Sequence, residues 1–158
     1  MAVNGQTLLD LAPIKDMLRT KEKYYGVSHG LGEAGYDIRI KQNVQFSKGI
    51  VVVDGFPSYG KFALASAIEE FDMPNCLVGI VHDKSTWARK GLSVFNTVIE
   101  PGWKGFLTLE LVYHGDKDLH IPAGSGIAQV IFHELTDRAE YSGKYQHQAD
   151  EPVPARSS

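Results

Sequence analysis

The sequence has very little cysteine, since Cys76 is the only one among its 158 residues. A single thiol excludes an internal disulfide and any metal site built from several cysteines. Because Cys76 lies in the apolar run NCLVGIV, we expect a small buried residue rather than a reactive thiol. Long apolar runs are also missing, so the sequence predicts neither a membrane-spanning helix nor a secretory signal peptide. These absences predict a soluble, cytoplasmic protein.

The chain also lacks a basic excess. Its 16 Lys and Arg against 19 Asp and Glu give a formal net charge of −3, whereas proteins that coat nucleic acids carry a marked positive excess. We therefore expect no nucleic-acid or membrane partner, although a local basic pocket for a small anion is compatible with this charge. The length and the hydrophobic fraction of 43% are typical of one globular domain.

Several familiar catalytic motifs are missing. The six histidines form no i,i+4 pair and no CxxC is present, so a zinc hydrolase or zinc deaminase site is not expected. No G-x-x-x-x-G-K-[ST] loop and no G-x-G-x-x-G that opens a helix is found. The sequence therefore argues against P-loop and Rossmann chemistry.

The hydrophobic pattern predicts a mainly β fold. Apolar residues at helical spacing predict one short helix near residues 10–19, with Asp10 as its cap and Pro13 in its first turn. The glycine-rich KYYGVSHGLGEAG is expected to be a loop. The β-rich segments, separated by turn sequences, are YDIRI, GIVVV, KFALAS, LVGIVHD, LSVFNTVIE, FLTLELVYH and IAQVIFHEL. Short strands with almost no intervening helix indicate an antiparallel sandwich or barrel.

The last segment, residues 141–158, is polar and loses the strand pattern. It fits a frayed terminus, but its stretch GKYQHQ combines a cation, aromatic rings and amides that suit a phosphorylated ligand. From the residues alone both interpretations stay open, with a β domain over residues 1–140 followed by either a tail or a lid.

Glu110 is the first candidate for chemistry. In FLTLELVYH the alternation places it on one face with Thr108, while the leucines, Leu109 among them, form the opposite, core-facing side. This pattern fits a solvent-facing carboxylate on a half-exposed sheet. It also fits a carboxylate that faces a polar pocket and acts as a general base.

The stretch KSTWARKGL is the second candidate. It follows a predicted strand and contains Lys84, Ser85, Thr86 and Arg89 within six residues. An amphipathic turn with solvated cations explains it, and so does an anion site in which the cations supply charge and the hydroxyls supply hydrogen bonds. An arginine fork suits phosphate oxygens because it donates several hydrogen bonds in one plane.

Five segments, taken in order, resemble the motifs of dCTP deaminases within the dUTPase-like superfamily. They are GYDIRI (35–40), KSTWARKGL (84–92), VIEPGWKGFLTLEL (98–111), IPAGSGIAQVIF (121–132) and YSGKYQHQ (141–148). The resemblance implies a distorted β-barrel or jelly-roll that assembles as a homotrimer, with active sites between subunits. It also implies hydrolysis of the 4-amino group of dCTP to dUTP and ammonia, with Mg²⁺ bound through the triphosphate, no zinc, and dTTP as a candidate inhibitor.

The resemblance also implies roles for individual residues. Glu110 matches the catalytic glutamate that activates water, Ser85 matches the serine that helps to hold this water, and Arg89 matches the arginine that links the glutamate region to the phosphates. Lys84 occupies the position of a phosphate-binding cation, with Thr86 beside it. The remaining matches are Thr108 and Leu109, in the strand whose backbone reads the base, and Tyr141, Lys144 and Gln148, in a segment that closes over the triphosphate.

The chain departs from the family pattern at two places. Glu100 stands where the family usually has aspartate, and in the family that carboxylate contacts the deoxyribose region. Glutamate is one methylene longer, so its carboxylate is displaced. Because displacements of about 1 Å cost on the order of a hundredfold in rate, we expect inefficient hydrolysis of dUTP. Asn96 and Thr97 stand where many deaminases have a small residue and a histidine, which suggests an altered base pocket that accepts 5-substituted cytosine. The alternatives are a bifunctional deaminase–diphosphatase, a dUTPase that gives dUMP and pyrophosphate, and a non-catalytic nucleotide sensor.

Overall fold

The computed structural model describes residues 1–157, and β-strands dominate it. Two short helices are present, α1 (Gly5–Leu11) and α2 (Ser85–Ala88). The strands, in chain order, are β1 (Ala2–Val3), β2 (Lys21–Tyr24), β3 (Val27–Leu31), β4 (Tyr36–Arg39), β5 (Val44–Ser47), β6 (Ile50–Val53), β7 (Phe56–Tyr59), β8 (Phe62–Asp72), β9 (Leu77–Asp83), β10 (Leu92–Val94), β11 (Val98–Ile99), β12 (Lys104–Tyr113), β13 (Leu119–Ile121) and β14 (Gly126–Glu134). The expectation of a mainly β fold is confirmed.

The strands form three antiparallel sheets. The largest has the order β11-β9-β14-β4-β3-β2 with β1 added to β14, the second has the order β10-β12-β8, and the third has the order β13-β5-β6-β7. Over residues 1–157 none of these sheets closes on itself, so of the expected distorted β-barrel or jelly-roll a closed barrel is not observed. The register shifts between Phe106 and Thr108 in the β12–β8 pairing and between Gly126 and Ala128 in the β14–β4 pairing, because unpaired residues on one strand interrupt the ladder.

The core lies between the sheets and is built from large side chains. Tyr36, Phe46, Phe71 and Phe132 are among the largest fully buried residues. The Tyr36 hydroxyl accepts a hydrogen bond from the Leu18 amide at 3.0 Å, so this buried phenol is satisfied. Cys76, expected to be buried, is only partly so, although it packs against this core.

The N-terminal helix exists, but its predicted bounds are wrong. It spans Gly5–Leu11, so Asp10 lies inside it rather than at its cap. The helix ends at Ala12, which has a left-handed φ of 46°, immediately before Pro13. The Pro13 carbonyl then accepts a hydrogen bond at 2.8 Å from the end of β8. Tertiary pairing with β8, rather than a longer helix, therefore buries the apolar residues that follow.

The loop predicted at KYYGVSHGLGEAG is also wrong, because this stretch contributes to the β2–β3 hairpin. Tyr25 and Gly26 form the turn, with φ of 51° and 74°. Two central residues with positive φ match the twist of the flanking strands, and glycine adopts this conformation at the second position without steric strain. The hairpins β5–β6 and β6–β7 use Lys48–Gly49 and Asp54–Gly55 in the same way.

The segment LSVFNTVIE is two strands in different sheets rather than one strand. Val94 of β10 pairs with Leu111 of β12, whereas Val98 of β11 pairs with Ile80 of β9. The residues between them cross from one sheet to the other, and the Phe95 amide donates to the Glu110 carbonyl at 3.1 Å. This crossing places the linker beside Glu110.

Candidate active site

A cavity of about 520 Å³ opens beside β12. Its walls come from three parts of the chain, namely β12 with its partner β8, the segment around β11, and the C-terminal segment. The residues that line it include Phe62, Leu64, Thr97, Glu100, Thr108, Glu110, Tyr141, Tyr145, Gln148, Val153 and Ala155. The cavity therefore gathers residues that are far apart in the sequence.

Glu110 faces this cavity from the middle of β12. Leu64 lies directly opposite it on β8, and the flanking β12 residues Leu109 and Leu111 are buried on the other side of the sheet. Among residues 1–157, no side chain forms a hydrogen bond or ion pair with the Glu110 carboxylate. Burial raises its pKa, and only the hydrogen bond from its own backbone amide opposes this shift. Such a carboxyl group is suited to accept a proton from water.

The C-terminal segment lies across the cavity in the same chain. The Trp103 indole donates to the Tyr145 carbonyl at 2.7 Å. Further along, the Gln148 side-chain amide donates to the Phe106 carbonyl at 2.8 Å and to the Thr108 hydroxyl at 3.1 Å. The same hydroxyl accepts the Val153 amide at 3.0 Å. Residues 141–157 are therefore docked on the β domain, and their mobility as a lid stays a prediction.

Gly105 makes this close approach feasible. It forms a parallel bridge with Gln148 and has a φ of 140°, which other residues rarely adopt. A Cβ atom at this position would lie 2.6 Å from the Gln148 nitrogen. At the next residue, the Phe106 amide donates to the Gln148 carbonyl at 3.1 Å.

Lys84 does not reach the cavity. Its ammonium group donates to Asp37 Oδ2 at 2.6 Å and to Ser28 Oγ at 3.0 Å, and both partners of the ion pair are largely buried. The other Asp37 oxygen is buried without a hydrogen-bond partner among the described residues. The charge expected to serve an anion is therefore neutralised within the chain.

The neighbouring residues of α2 are also outside the cavity. Ser85, Thr86 and Arg89 are exposed, and none of them lines it. Trp87 fixes the position of this corner, because its buried indole donates to the Gly126 carbonyl at 2.7 Å. Within one chain, the predicted water-holding serine and phosphate-linking arginine are thus separate from Glu110.

The structure divides the predicted site residues into two groups. Those that line the cavity are Glu100, Glu110, Thr108, Tyr141 and Gln148, together with Thr97. Leu109 is buried behind the strand, so only its backbone is available there. Lys144 lies next to the cavity residue Tyr145, and its ammonium group donates to the Arg156 carbonyl. Asn96 is not part of the lining.

Some cavity residues were missed from the sequence. Phe62 and Leu64 carry no local signal, because their position depends on the pairing of β8 with β12. Tyr145 lies inside the segment YSGKYQHQ. Its position next to Lys144 and near Tyr141, which match family residues, was the signal that could have identified it. Val153 and Ala155 lie in a proline-flanked stretch that resembles an ordinary terminus.

Over residues 1–157, no group of three or more His, Cys, Asp and Glu side chains is arranged to hold a metal ion. Nor does this part of the chain contain a helix with the length and apolarity needed to span a membrane.

Comparison with solved structures identifies the fold. The dUTPase of Staphylococcus bacteriophage 80alpha superposes with a TM-score of 0.55 at 16% identity, over 82% of this chain and 91% of that one. The dUTPase of EIAV gives a TM-score of 0.53 at 17% identity, over 71% and 84%. A mutant dUTPase of S. aureus phage phi11, described with a structural Mg(II) ion, gives 0.55 at 14% identity, over 84% and 94%. The fold is therefore dUTPase-like.

Sequence comparison identifies the family. The family model for dCTP deaminase-like proteins matches residues 56–135. The dCTP deaminase of Campylobacter curvus is 36% identical over 154 residues, which covers 81% of each protein. That of Protochlamydia amoebophila is 33% identical over 152 residues, covering 81% of this chain and 80% of the relative. The chain therefore belongs to the dCTP deaminase family.

Proposed function

We propose that this protein is a dCTP deaminase, which converts dCTP and water to dUTP and ammonia. The observation that carries the proposal is the position of Glu110. Its half-buried carboxyl group faces a cavity, has no side-chain partner among residues 1–157, and has a pKa raised by burial. Family membership supplies the substrate class, because the curated relatives are named dCTP deaminases.

In the proposed reaction Glu110 acts first as base and then as proton donor. Its carboxylate takes a proton from water, whose oxygen attacks C4 of the cytosine ring. The C4–N4 bond breaks in the resulting tetrahedral intermediate, while the proton held by Glu110 passes to the departing nitrogen. The hydroxyl proton that remains on the C4 oxygen moves to N3, so the products are ammonia and the 4-oxo group of dUTP. A raised carboxyl pKa favours both halves of this transfer near neutral pH.

We further propose that a second copy of the chain completes the site, in a homotrimer. Ser85 and Arg89 are exposed and lie outside the cavity of their own chain, so they are available to a neighbouring copy. Around the cavity, Phe62, Phe95 and Val98 are 48%, 52% and 54% exposed. Apolar surface of this kind is typical of protein interfaces. Lys84 has no part in this proposal, because Asp37 already neutralises it.

The nucleotide is proposed to bind along the cavity under the C-terminal segment. The backbone of Thr108 and Leu109 would read the base, and Tyr141, Lys144 and Gln148 would contact the triphosphate. Mg²⁺ would enter as the complex with the triphosphate, where it would offset phosphate charge. Among residues 1–157, two carboxylates line the cavity, Glu100 and Glu110, which agrees with an ion that is held mainly by the nucleotide.

One observation favours a bifunctional enzyme as the second candidate. Glu100 lines the same cavity as Glu110, and a carboxylate near the sugar could activate water for attack on the phosphates. The proposed distinction is the product. Deamination alone gives dUTP, whereas the bifunctional reaction gives dUMP and pyrophosphate.

The test is product analysis with purified protein, Mg²⁺ and dCTP, 5-methyl-dCTP or dUTP in parallel. We expect ammonia and dUTP from dCTP. Glu110→Gln should lower the rate about 10²- to 10⁴-fold, the usual contribution of a general base, without unfolding the chain. The matched control is Glu134→Gln, at an exposed strand end, which should retain the full rate. Full activity of Glu110→Gln would remove Glu110 as the base, and tight dCTP binding without turnover would indicate a sensor.

A further inference from the structure

Two cations converge on one tyrosine at the cavity. The Lys144 ammonium lies 5.4 Å from the centroid of the Tyr145 ring, and the Arg156 guanidinium lies 6.0 Å from the same centroid. Both distances are within the range of cation–π attraction. Tyr145 itself lines the cavity that contains Glu110.

Hydrogen bonds hold the three residues in one arrangement. The Tyr145 hydroxyl accepts the Arg156 backbone amide at 3.0 Å. The Arg156 guanidinium donates through one terminal nitrogen to the Lys144 carbonyl at 3.0 Å, and the Lys144 ammonium donates to the Arg156 carbonyl. Arg156 is therefore held beside the cavity, where its neighbour Ala155 is part of the lining.

The charge of this cluster is not balanced within the described chain. None of the ion pairs among residues 1–157 involves Lys144 or Arg156. Two like charges held together repel each other, so a fixed pair of cations beside a cavity is stabilised when an anion binds between or beside them. The net charge of −3 for the whole chain makes such a local concentration of positive charge more notable.

The guanidinium also retains hydrogen-bonding capacity. An arginine side chain has five N–H donors, and contacts within residues 1–157 use one terminal nitrogen of Arg156. The remaining donors form a planar fork that matches two phosphate oxygens. Lys144, in contrast, offers a point charge. The pair thus combines geometric and electrostatic recognition of a phosphate chain.

We propose that Arg156 is a further substrate-binding residue, which grips the triphosphate of the nucleotide together with Lys144 and so selects nucleoside triphosphates over monophosphates. This inference rests on the proposed function, because it takes the cavity to be the nucleotide site. It extends that function to a residue at the end of the chain. Arg156 contributes binding and selectivity, whereas Glu110 contributes the chemistry.

The experiment compares Arg156→Ala with wild type. Arg138→Ala is the matched control, at an exposed arginine whose side chain forms no hydrogen bond or ion pair within residues 1–157. KM and kcat are measured for dCTP, and the dissociation constants of dCTP, dCMP and inorganic tripolyphosphate are measured by titration calorimetry. We expect Arg156→Ala to raise KM for dCTP and Kd for dCTP and tripolyphosphate about 10- to 100-fold, the usual effect of losing hydrogen bonds to a charged group. The affinity for dCMP should stay unchanged, and Arg156→Lys should recover part of the loss.

The outcomes separate this inference from the proposed function. If wild type deaminates dCTP and Arg156→Ala has the same KM and tripolyphosphate affinity as wild type, the role of Arg156 is refuted and the deaminase proposal stands. Equal weakening of dCMP and dCTP binding would also refute it, because that result indicates only a loosened C-terminal segment. If wild type shows no turnover of dCTP, the proposed function fails, while loss of tripolyphosphate binding in Arg156→Ala still supports the anion site.

Discussion

The Thr108 hydroxyl anchors the C-terminal segment to the β domain, and we expect a single substitution there to weaken this docking. It accepts two hydrogen bonds from that segment, from the Val153 amide at 3.0 Å and from the Gln148 side chain at 3.1 Å. Thr108→Val keeps the branched shape and removes the acceptor. The Gln148 amide keeps its second acceptor, the Phe106 carbonyl at 2.8 Å, whereas the Val153 amide has no other acceptor among residues 1–157.

The expected cost follows from these two contacts. A net hydrogen bond contributes about 0.5–1.5 kcal/mol, and a donor left unsatisfied costs somewhat more. Because the Val153 amide regains water when the segment lifts, we expect the docked state to lose about 1–2 kcal/mol. This corresponds to roughly a 5- to 30-fold shift in the equilibrium between docked and released segment. The β domain itself should keep its stability, because Thr108 contributes no charge or large volume to its core.

Hydrogen exchange read by mass spectrometry measures this shift directly. Backbone amides of residues 149–157 should exchange about 5- to 30-fold faster in Thr108→Val than in wild type, if exchange proceeds through local opening. Thr136→Val is the control, because Thr136 is exposed and its side chain has no hydrogen bond within residues 1–157. Unchanged exchange in this segment would refute the assignment of Thr108 as its anchor. Faster exchange throughout β12 would show instead that the substitution damages the sheet.

Two further predictions concern buried carboxyl groups. Arg39→Met should lower the free energy of unfolding by about 3–5 kcal/mol in chemical denaturation, because it leaves the buried Glu69 carboxylate without its guanidinium partner at 2.9 Å. The control Lys15→Met breaks an exposed ion pair and should lower it by less than about 1 kcal/mol. Equal losses in the two variants would contradict this role of Arg39. Leu64→Asn should move the acidic limb of the pH–rate profile to lower pH, because the active base is ionised Glu110, burial raises its pKa, and a polar neighbour relieves that burial. An acidic limb that stays in place would mean that Glu110 is not the group that titrates.

Much of the fold and part of the site could be predicted from local pattern. The alternation in FLTLELVYH correctly placed Leu109 and Leu111 in the core and Glu110 on the other face, because successive side chains of a strand must point to opposite sides. The ordered motifs correctly indicated the family, since each is a short continuous stretch whose residues stay adjacent whatever the fold does.

Predictions failed where long-range pairing competes with local preference. The apolar residues near 10–19 fit a helix, but the backbone around Pro13 pairs with β8 instead. LSVFNTVIE fits one strand, but Val94 and Val98 join different sheets. The glycines of KYYGVSHGLGEAG suggested a loop, although a Tyr25–Gly26 turn with positive φ makes a hairpin. In the first two cases the deciding contacts come from residues distant in the sequence, whereas the hairpin depends on its own local turn.

The sequence by itself determined the β-rich pattern, the family and the presence of a carboxylate at position 110, because these are properties of single residues and their near neighbours. Only the tertiary structure decided that Leu64 and the C-terminal segment enclose this carboxylate, that Asp37 neutralises Lys84, and that Arg156 joins Lys144 around Tyr145. Burial, pairing of charges and the walls of a cavity depend on which segments meet in space, and no local spacing of residues specifies that meeting.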